Sequence, residues 1–254
     1  MSKQGGSRGD QPVRSVRLRS DTPTVRSGVS PSSYTAEQYR NLAVLIENKL
    51  PNRKKTGHLL SVTSPGPAAG KTLTSLNLAL TLARKGERRV LLVECDLWRP
   101  DLSSYFETED PAPGLTHVLT GRAELNEAVV SVWGAGLNVV TAGTAGTVDN
   151  LLADRRMAEV ITEMRSLYEI VVLDSAPILL ATGKTLASLA DRVLVVVRAG
   201  RTRKRDVEDA LSSLDPKKVM GLVLNRVKAG KLRSPAYSAY AYYGGEDSKD
   251  VPSL

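Results

Sequence analysis

The chain has 254 residues, 41% of them hydrophobic, with 35 Lys and Arg against 27 Asp and Glu for a net charge of +8. That length holds one sizeable α/β domain with room for tails, and a single cysteine, Cys95, excludes a disulfide framework. His58 and His117 stand apart with no ligand-spaced partners, which argues against a zinc or iron site. No apolar run reaches the roughly 18 residues of a membrane span and no signal peptide opens the chain, so a soluble cytoplasmic protein is expected.

Residues 1–33 carry Lys3, Arg8, Arg14, Arg17, Arg19 and Arg26 against Asp10 and Asp21, amid Gly, Ser and Pro. This composition predicts a disordered basic tail. A helix is expected over 35–50, capped by Thr35, with Tyr39, Leu42, Ile46 and Leu50 at helical spacing and Pro51 stopping it.

The next stretch organises the chain. An apolar strand over 58–63 runs into Ser64-Pro65-Gly66-Pro67-Ala68-Ala69-Gly70-Lys71-Thr72, and a helical pattern with Leu73, Leu76, Leu80 and Ala83 follows. Strand, small-residue loop and a helix opening at Gly-Lys-Thr is the build of a phosphate-binding loop, because a helix N-terminus offers unpaired N–H groups and partial positive charge to an anion. Lys71 is expected to reach the terminal phosphates of ATP, and Thr72 to hold Mg²⁺ through its hydroxyl. The strict motif has glycine where Pro65 stands, and an alanine at 68 or 69 is a handicap wherever the loop needs positive φ.

A second buried strand over 89–96 ends in Glu94 and Asp96, two apart and therefore on one side of an extended chain. Carboxylates at the C-terminal edge of a parallel sheet are equipment for metal binding or proton abstraction; alone, they also read as a cap and a turn residue before Arg99-Pro100. A third strand, from Tyr168, ends in Asp174-Ser175-Ala176-Pro177, the form of a Walker B element whose acid orients Mg²⁺. Further strands are expected at 137–140, 191–197 and 219–224, with helices at 157–167 and 203–214. Alternating β and α predicts an α/β fold with a doubly wound, mainly parallel sheet.

The C-terminal segment crowds Tyr237, Tyr240, Tyr242 and Tyr243 among Ser, Ala and Gly. With few aromatics elsewhere, no base-stacking platform is visible and no nucleic-acid partner is expected.

From about residue 35 to 245, the Gly70-Lys71-Thr72 loop, the Glu94/Asp96 strand end with Arg99-Pro100, Asp174-x-x-Pro177 and Leu224-Asn225-Arg226 together resemble the bacterial tyrosine kinases of capsule and exopolysaccharide synthesis, in their stand-alone cytoplasmic form. The family's S-x-x-P-G-x-G-K loop maps onto Ser64, Pro67, Ala68, Gly70 and Lys71, and its D-x-D element onto Glu94 and Asp96. The resemblance implies a P-loop NTPase fold of the deviant-Walker type over 34–230 and a flexible tyrosine-rich tail over 231–254. It implies catalytic roles for Lys71, Glu94, Asp96 and Asp174, with Glu94 placed to orient or deprotonate the incoming phenol. Nucleotide would be held by Pro67, Ala68, Ala69, Gly70, Lys71, Thr72 and Leu73, with Asn225 and Arg226 near the adenine, and Mg²⁺ by Thr72, Asp96 and Asp174. Tyr237, Tyr240, Tyr242 and Tyr243 would be the autophosphorylation sites.

The implied partners are a membrane polysaccharide copolymerase that activates the kinase and recruits it to the inner membrane face, further copies of the chain, and a cognate tyrosine phosphatase. The sequence departs from the family at Ala68, at Glu94, at Trp98 in place of an arginine, and at Ala43, which breaks an E-x-x-R-x-x-R motif begun by Glu37 and Arg40. The alternatives are a nucleotide-binding pseudokinase scaffold of the same export complex and a partition-type ATPase. The latter is opposed by Gly66, where those proteins carry a lysine, and by the tyrosine tail.

Overall fold

The computed structural model describes residues 14–19, 33–51, 56–84, 88–108, 112–143 and 151–227; the tyrosine cluster lies outside them. In chain order the elements are β1 (Ser15–Leu18), α1 (Tyr34–Lys49), β2 (His58–Thr63), α2 (Lys71–Arg84), β3 (Val90–Glu94), β4 (Phe106–Glu107), α3 (Leu115–Leu119), α4 (Leu125–Ala128), β5 (Val130–Val132), β6 (Leu137–Val140), α5 (Arg155–Leu167), β7 (Ile170–Asp174), α6 (Ala181–Leu189), β8 (Arg192–Arg198), α7 (Lys204–Ser212) and β9 (Val219–Asn225), with 3₁₀ turns at Leu102–Tyr105 and Leu151–Ala153.

The strands form one sheet in the order β4-β1-β5-β6-β3-β7-β2-β8-β9. From β6 to β9 all neighbours are parallel, while β5 runs antiparallel to β6. The central strands β2, β3 and β7 are buried throughout, as a sheet covered on both faces requires.

Strand alternation divides the core into two layers. Leu60, Val62, Val90, Leu92, Ile170 and Val172 pack on one face with α1 and α2. Leu59, Leu91, Val93, Val171 and Leu173 pack on the other with α3, α4 and α5. Helices on both faces make the sheet doubly wound, and its parallel strands bring the loops after β2, β3, β7, β8 and β9 to one edge.

Two expectations need correction. Residues 15–18, expected in the disordered tail, form β1, parallel to β5 and antiparallel to β4. Val16 is buried in the core and Arg17 lies over the Trp133 ring, 5.0 Å from its centroid; two contacts of long sequence separation fix a segment that its composition alone leaves free. The cap of α1 is Ser33 rather than Thr35, its hydroxyl accepting from the Ala36 N–H at 3.0 Å.

Candidate active site

The loop after β2 turns on two residues of positive φ. Gly70 has φ +91°, and a Cβ there would lie 2.3 Å from Asn225 Nδ2. Ala68 has φ +57° without the freedom of glycine, a conformation that costs an L-residue about 1–2 kcal/mol. The loop is braced from two sides. Asn225 Nδ2 donates to the Ala69 carbonyl at 2.9 Å and Arg198 Nη1 to the Ala68 carbonyl at 3.3 Å. Helix α2 makes its first internal bond from the Thr74 N–H to the Gly70 carbonyl, which leaves the amides of Lys71, Thr72 and Leu73 directed out of the helix start, where an anion is favoured.

The acids converge on this helix start. Lys71 Nζ lies 3.8 Å from Asp96 Oδ2, both side chains nearly buried. Asp174, fully buried at the end of β7, accepts from Ser75 Oγ through Oδ1 at 3.1 Å, while its Oδ2 is buried without a hydrogen-bond partner. Burial pushes the Asp174 carboxyl up to about 7, and attraction from the Thr72 hydroxyl and the Lys71 ammonium offsets only part of this. A desolvated carboxylate oxygen without a hydrogen-bond partner, close to the Thr72 hydroxyl, suits a hard cation with oxygen ligands. Thr72 and Asp174 therefore fit Mg²⁺, and Asp96 is joined to the same helix start through Lys71.

Residues 61–215, more than half the chain, match the family model of an AAA domain. Over 222 residues the chain is 32% identical to Tyrosine-protein kinase YwqD of Bacillus subtilis, covering 86% of this chain and 90% of that one. The chain belongs to the bacterial tyrosine-protein kinases. It is also 32% identical over 210 residues to the succinoglycan biosynthesis transport protein ExoP of Rhizobium meliloti, of which it spans 26%. Among solved structures, the VpsO kinase domain superposes with a TM-score of 0.65 at 32% identity, covering 77% of this chain and all of that one.

Within this kinase fold, Glu94 is employed differently from the expectation of a base. It is 1% exposed. Its Oε1 accepts from the backbone N–H groups of Asp101 and Leu102, each at 2.6 Å, and its Oε2 from that of Ala142 at 2.9 Å. Burial raises its pKa, and the three N–H bonds pull it back. Three directed donors engage both oxygens and fix the carboxylate toward the loops. Glu94 is a strut that ties the 3₁₀ turn and the loop after β6 to the end of β3, and the extra methylene relative to aspartate gives the reach.

Asn225 is likewise a clamp. Its amide donates to the phosphate loop and its Oδ1 accepts from the Arg226 N–H at 2.8 Å, holding Arg226 at φ +58°. Pro67 and Ala68 are exposed on the loop, Ala69 is buried and Leu73 packs partly into the core. Trp98 is 59% exposed and has turned away from the core.

Tyr105 and Asp101 are brought to this site with no motif in the sequence to announce them. The Tyr105 hydroxyl lies 3.4 Å from Asp101 Oδ2. Burial first, then the Asp101 charge and bond, raise the phenol to about 12, with Asp174 adding to the shift and Arg226 opposing it. Both residues sit on the turn that Glu94 fastens, so their placement follows from a carboxylate seven residues earlier in the chain. Among the described residues no helix is long and apolar enough to cross a membrane.

Proposed function

We propose that this chain is an ATP-dependent protein-tyrosine kinase that phosphorylates its own tyrosine-rich C-terminal segment. The γ-phosphoryl of ATP passes to a phenolic oxygen, giving ADP, phosphotyrosine and a proton. The observation that carries this reading is the convergence of Lys71, Asp96 and the bare Oδ2 of Asp174 on the start of α2.

Lys71 and the amides of residues 69–73 bind and orient the phosphates. Thr72, Asp96 and Asp174 would hold Mg²⁺, which would supply charge neutralisation for the phosphates. The 3.8 Å contact between Lys71 Nζ and Asp96 Oδ2 holds the ammonium at the helix start, where the phosphates bind. Phosphoryl transfer through a loose transition state is mostly positioning and electrostatics, so it tolerates the loss of Glu94 as a base.

The acceptors are Tyr237, Tyr240, Tyr242 and Tyr243, presented by a neighbouring copy. The polysaccharide-transport relative supports a membrane partner of the same process; in this reading a copolymerase recruits the kinase to the cytoplasmic face and switches it on, and a phosphatase resets it. A nucleotide-binding scaffold is the second reading, favoured by the strained Ala68.

The deciding experiment is mass spectrometry of the intact protein after incubation with Mg·ATP, with Lys71→Met in parallel. Several phosphates mapping to residues 237–243 and lost in the variant support the kinase. ATP binding with no phosphotyrosine, even beside a cytoplasmic segment of the membrane partner, supports the scaffold.

A further inference from the structure

The C-terminal corner of β8 and β9 carries three arginines. Arg198 ends β8 and is the register partner of Asn225, so Arg226 follows directly beside it. The chain then turns back on itself, the Arg201 N–H donating to the Arg198 carbonyl at 3.3 Å. Among the described residues none of the three guanidinium groups is paired with a carboxylate. The acids of the adjacent helix α7 are already matched by its own bases: Asp206 with Arg203, Glu208 with Lys204 and Asp209 with Arg205. Partial desolvation, then the charges of Arg226 and Arg201, lower the Arg198 pKa from its ordinary value. Three arginines at one corner, with no carboxylate partner among the described residues, suit an anion, and arginine forks match phosphate.

The chain itself supplies one. The sequence that leaves this corner after Val227 reaches Tyr237 in ten residues and Tyr243 in sixteen, so an extended tether of up to about 35 Å serves even the first tyrosine. From 228 to 254 its charged side chains are Lys228, Lys231, Arg233 and Lys249 against Glu246, Asp247 and Asp250. Unmodified, that stretch is close to neutral, with only one base in excess. Each phosphotyrosine adds about −1.5 to −2, so modification of two tyrosines reverses its sign.

We propose that Arg198, Arg201 and Arg226 form a docking site for phosphotyrosine of the chain's own C-terminal segment. This rests on the kinase reading for the origin of the phosphate. The site takes up the product once it is made. Because Arg198 also holds the Ala68 carbonyl, the docked segment lies at the rim of the phosphate loop, and the short tether raises its effective concentration to the order of millimolar. Phosphorylation thereby converts a segment that is free to visit a neighbour into one retained by its own chain.

The test uses full-length protein whose four C-terminal tyrosines are changed to Phe, so that it makes no competing product. Two fluorescent peptides of residues 235–245 are titrated, one unmodified and one synthesised with phosphotyrosine at 242 and 243. The phosphopeptide is expected to bind at least tenfold more tightly. Arg201→Gln should weaken it at least fivefold, Arg201→Lys less, and inorganic phosphate at equal concentration should leave it bound. Equal affinity for both peptides, affinity unchanged by Arg201→Gln, or displacement by inorganic phosphate as readily as by free phosphopeptide would overturn the proposal. The peptide is phosphorylated in advance, so a failure of catalysis contradicts the kinase reading and leaves this binding result standing by itself.

Discussion

Glu94 and Asp174 are direct register partners on β3 and β7, yet one has both oxygens bonded to backbone N–H groups and the other keeps Oδ2 bare. The two neighbouring carboxylates therefore divide the work. Glu94 ties the loops around the site, and Asp174 keeps one oxygen without a hydrogen-bond partner.

That division predicts the behaviour of Glu94 variants. Glu94→Asp falls short of its three donors, and Glu94→Gln sets an amide N–H₂ against one of them. Each should lose roughly 2–3 kcal/mol of stability, the cost of buried donors left without partners, with activity falling in step. Urea denaturation beside kinase assays checks this. Full stability with abolished turnover would restore Glu94 as a base.

Asp174 predicts a pH dependence. Folding raises its pKa from an ordinary 3.8 to about 7, so the folded state holds this proton more tightly than the unfolded chain. Its contribution to stability is complete below pH 4 and is lost as the pH rises through 7. Without nucleotide or divalent metal, Asp174→Asn should gain stability relative to the parent steadily from pH 4 to pH 7. Thermal melts at unit pH intervals would show the two curves diverging; parallel curves would contradict the buried, bare carboxylate.

Gly70 and Asn225 form a coupled pair. A Cβ at Gly70 meets the amide that braces Ala69, so Gly70→Ala should weaken binding of a fluorescent ATP analogue at least tenfold. Asn225→Ala should weaken it too, and the double variant should lose less than the two singles combined, because both disturb one contact. Strictly additive losses would place Asn225 outside the loop's support.

Strand β1 supports the sheet edge through its backbone. The amides of Ser131 and Trp133 donate to the carbonyls of Arg14 and Val16 at 2.8 and 2.9 Å. Val16→Asp puts a charge into the core and should release the strand, accelerating hydrogen exchange at Ser131 and Trp133 while the amides of β2 and β7 stay protected. Unchanged exchange at the edge would mean that β1 is not held by Val16.

These contrasts show where the sequence was legible. Strands β2, β3 and β7 are continuous apolar runs with acids or turn residues at their ends, so the runs themselves located them and chain order placed Lys71, Asp96 and Asp174 on one edge. The penalty anticipated for alanine in the phosphate loop is present at Ala68. What stayed hidden depends on distant partners. β1 offers only Val16 and Leu18 between arginines, and its evidence lies at 106–107 and 130–133. Strands of two or three residues, such as β4 and β5, carry too few positions for alternation to register. The role of Glu94 is set by donors at 101, 102 and 142, which no local pattern announces.

The most direct test of the account is the intact mass of the purified chain after incubation with Mg·ATP, beside Lys71→Met and Asp174→Asn. Successive additions of phosphate, mapped to Tyr237, Tyr240, Tyr242 and Tyr243 and absent from both variants, are the predicted result. An unmodified parent chain that binds ATP, in the presence of the membrane partner's cytoplasmic segment, would contradict it.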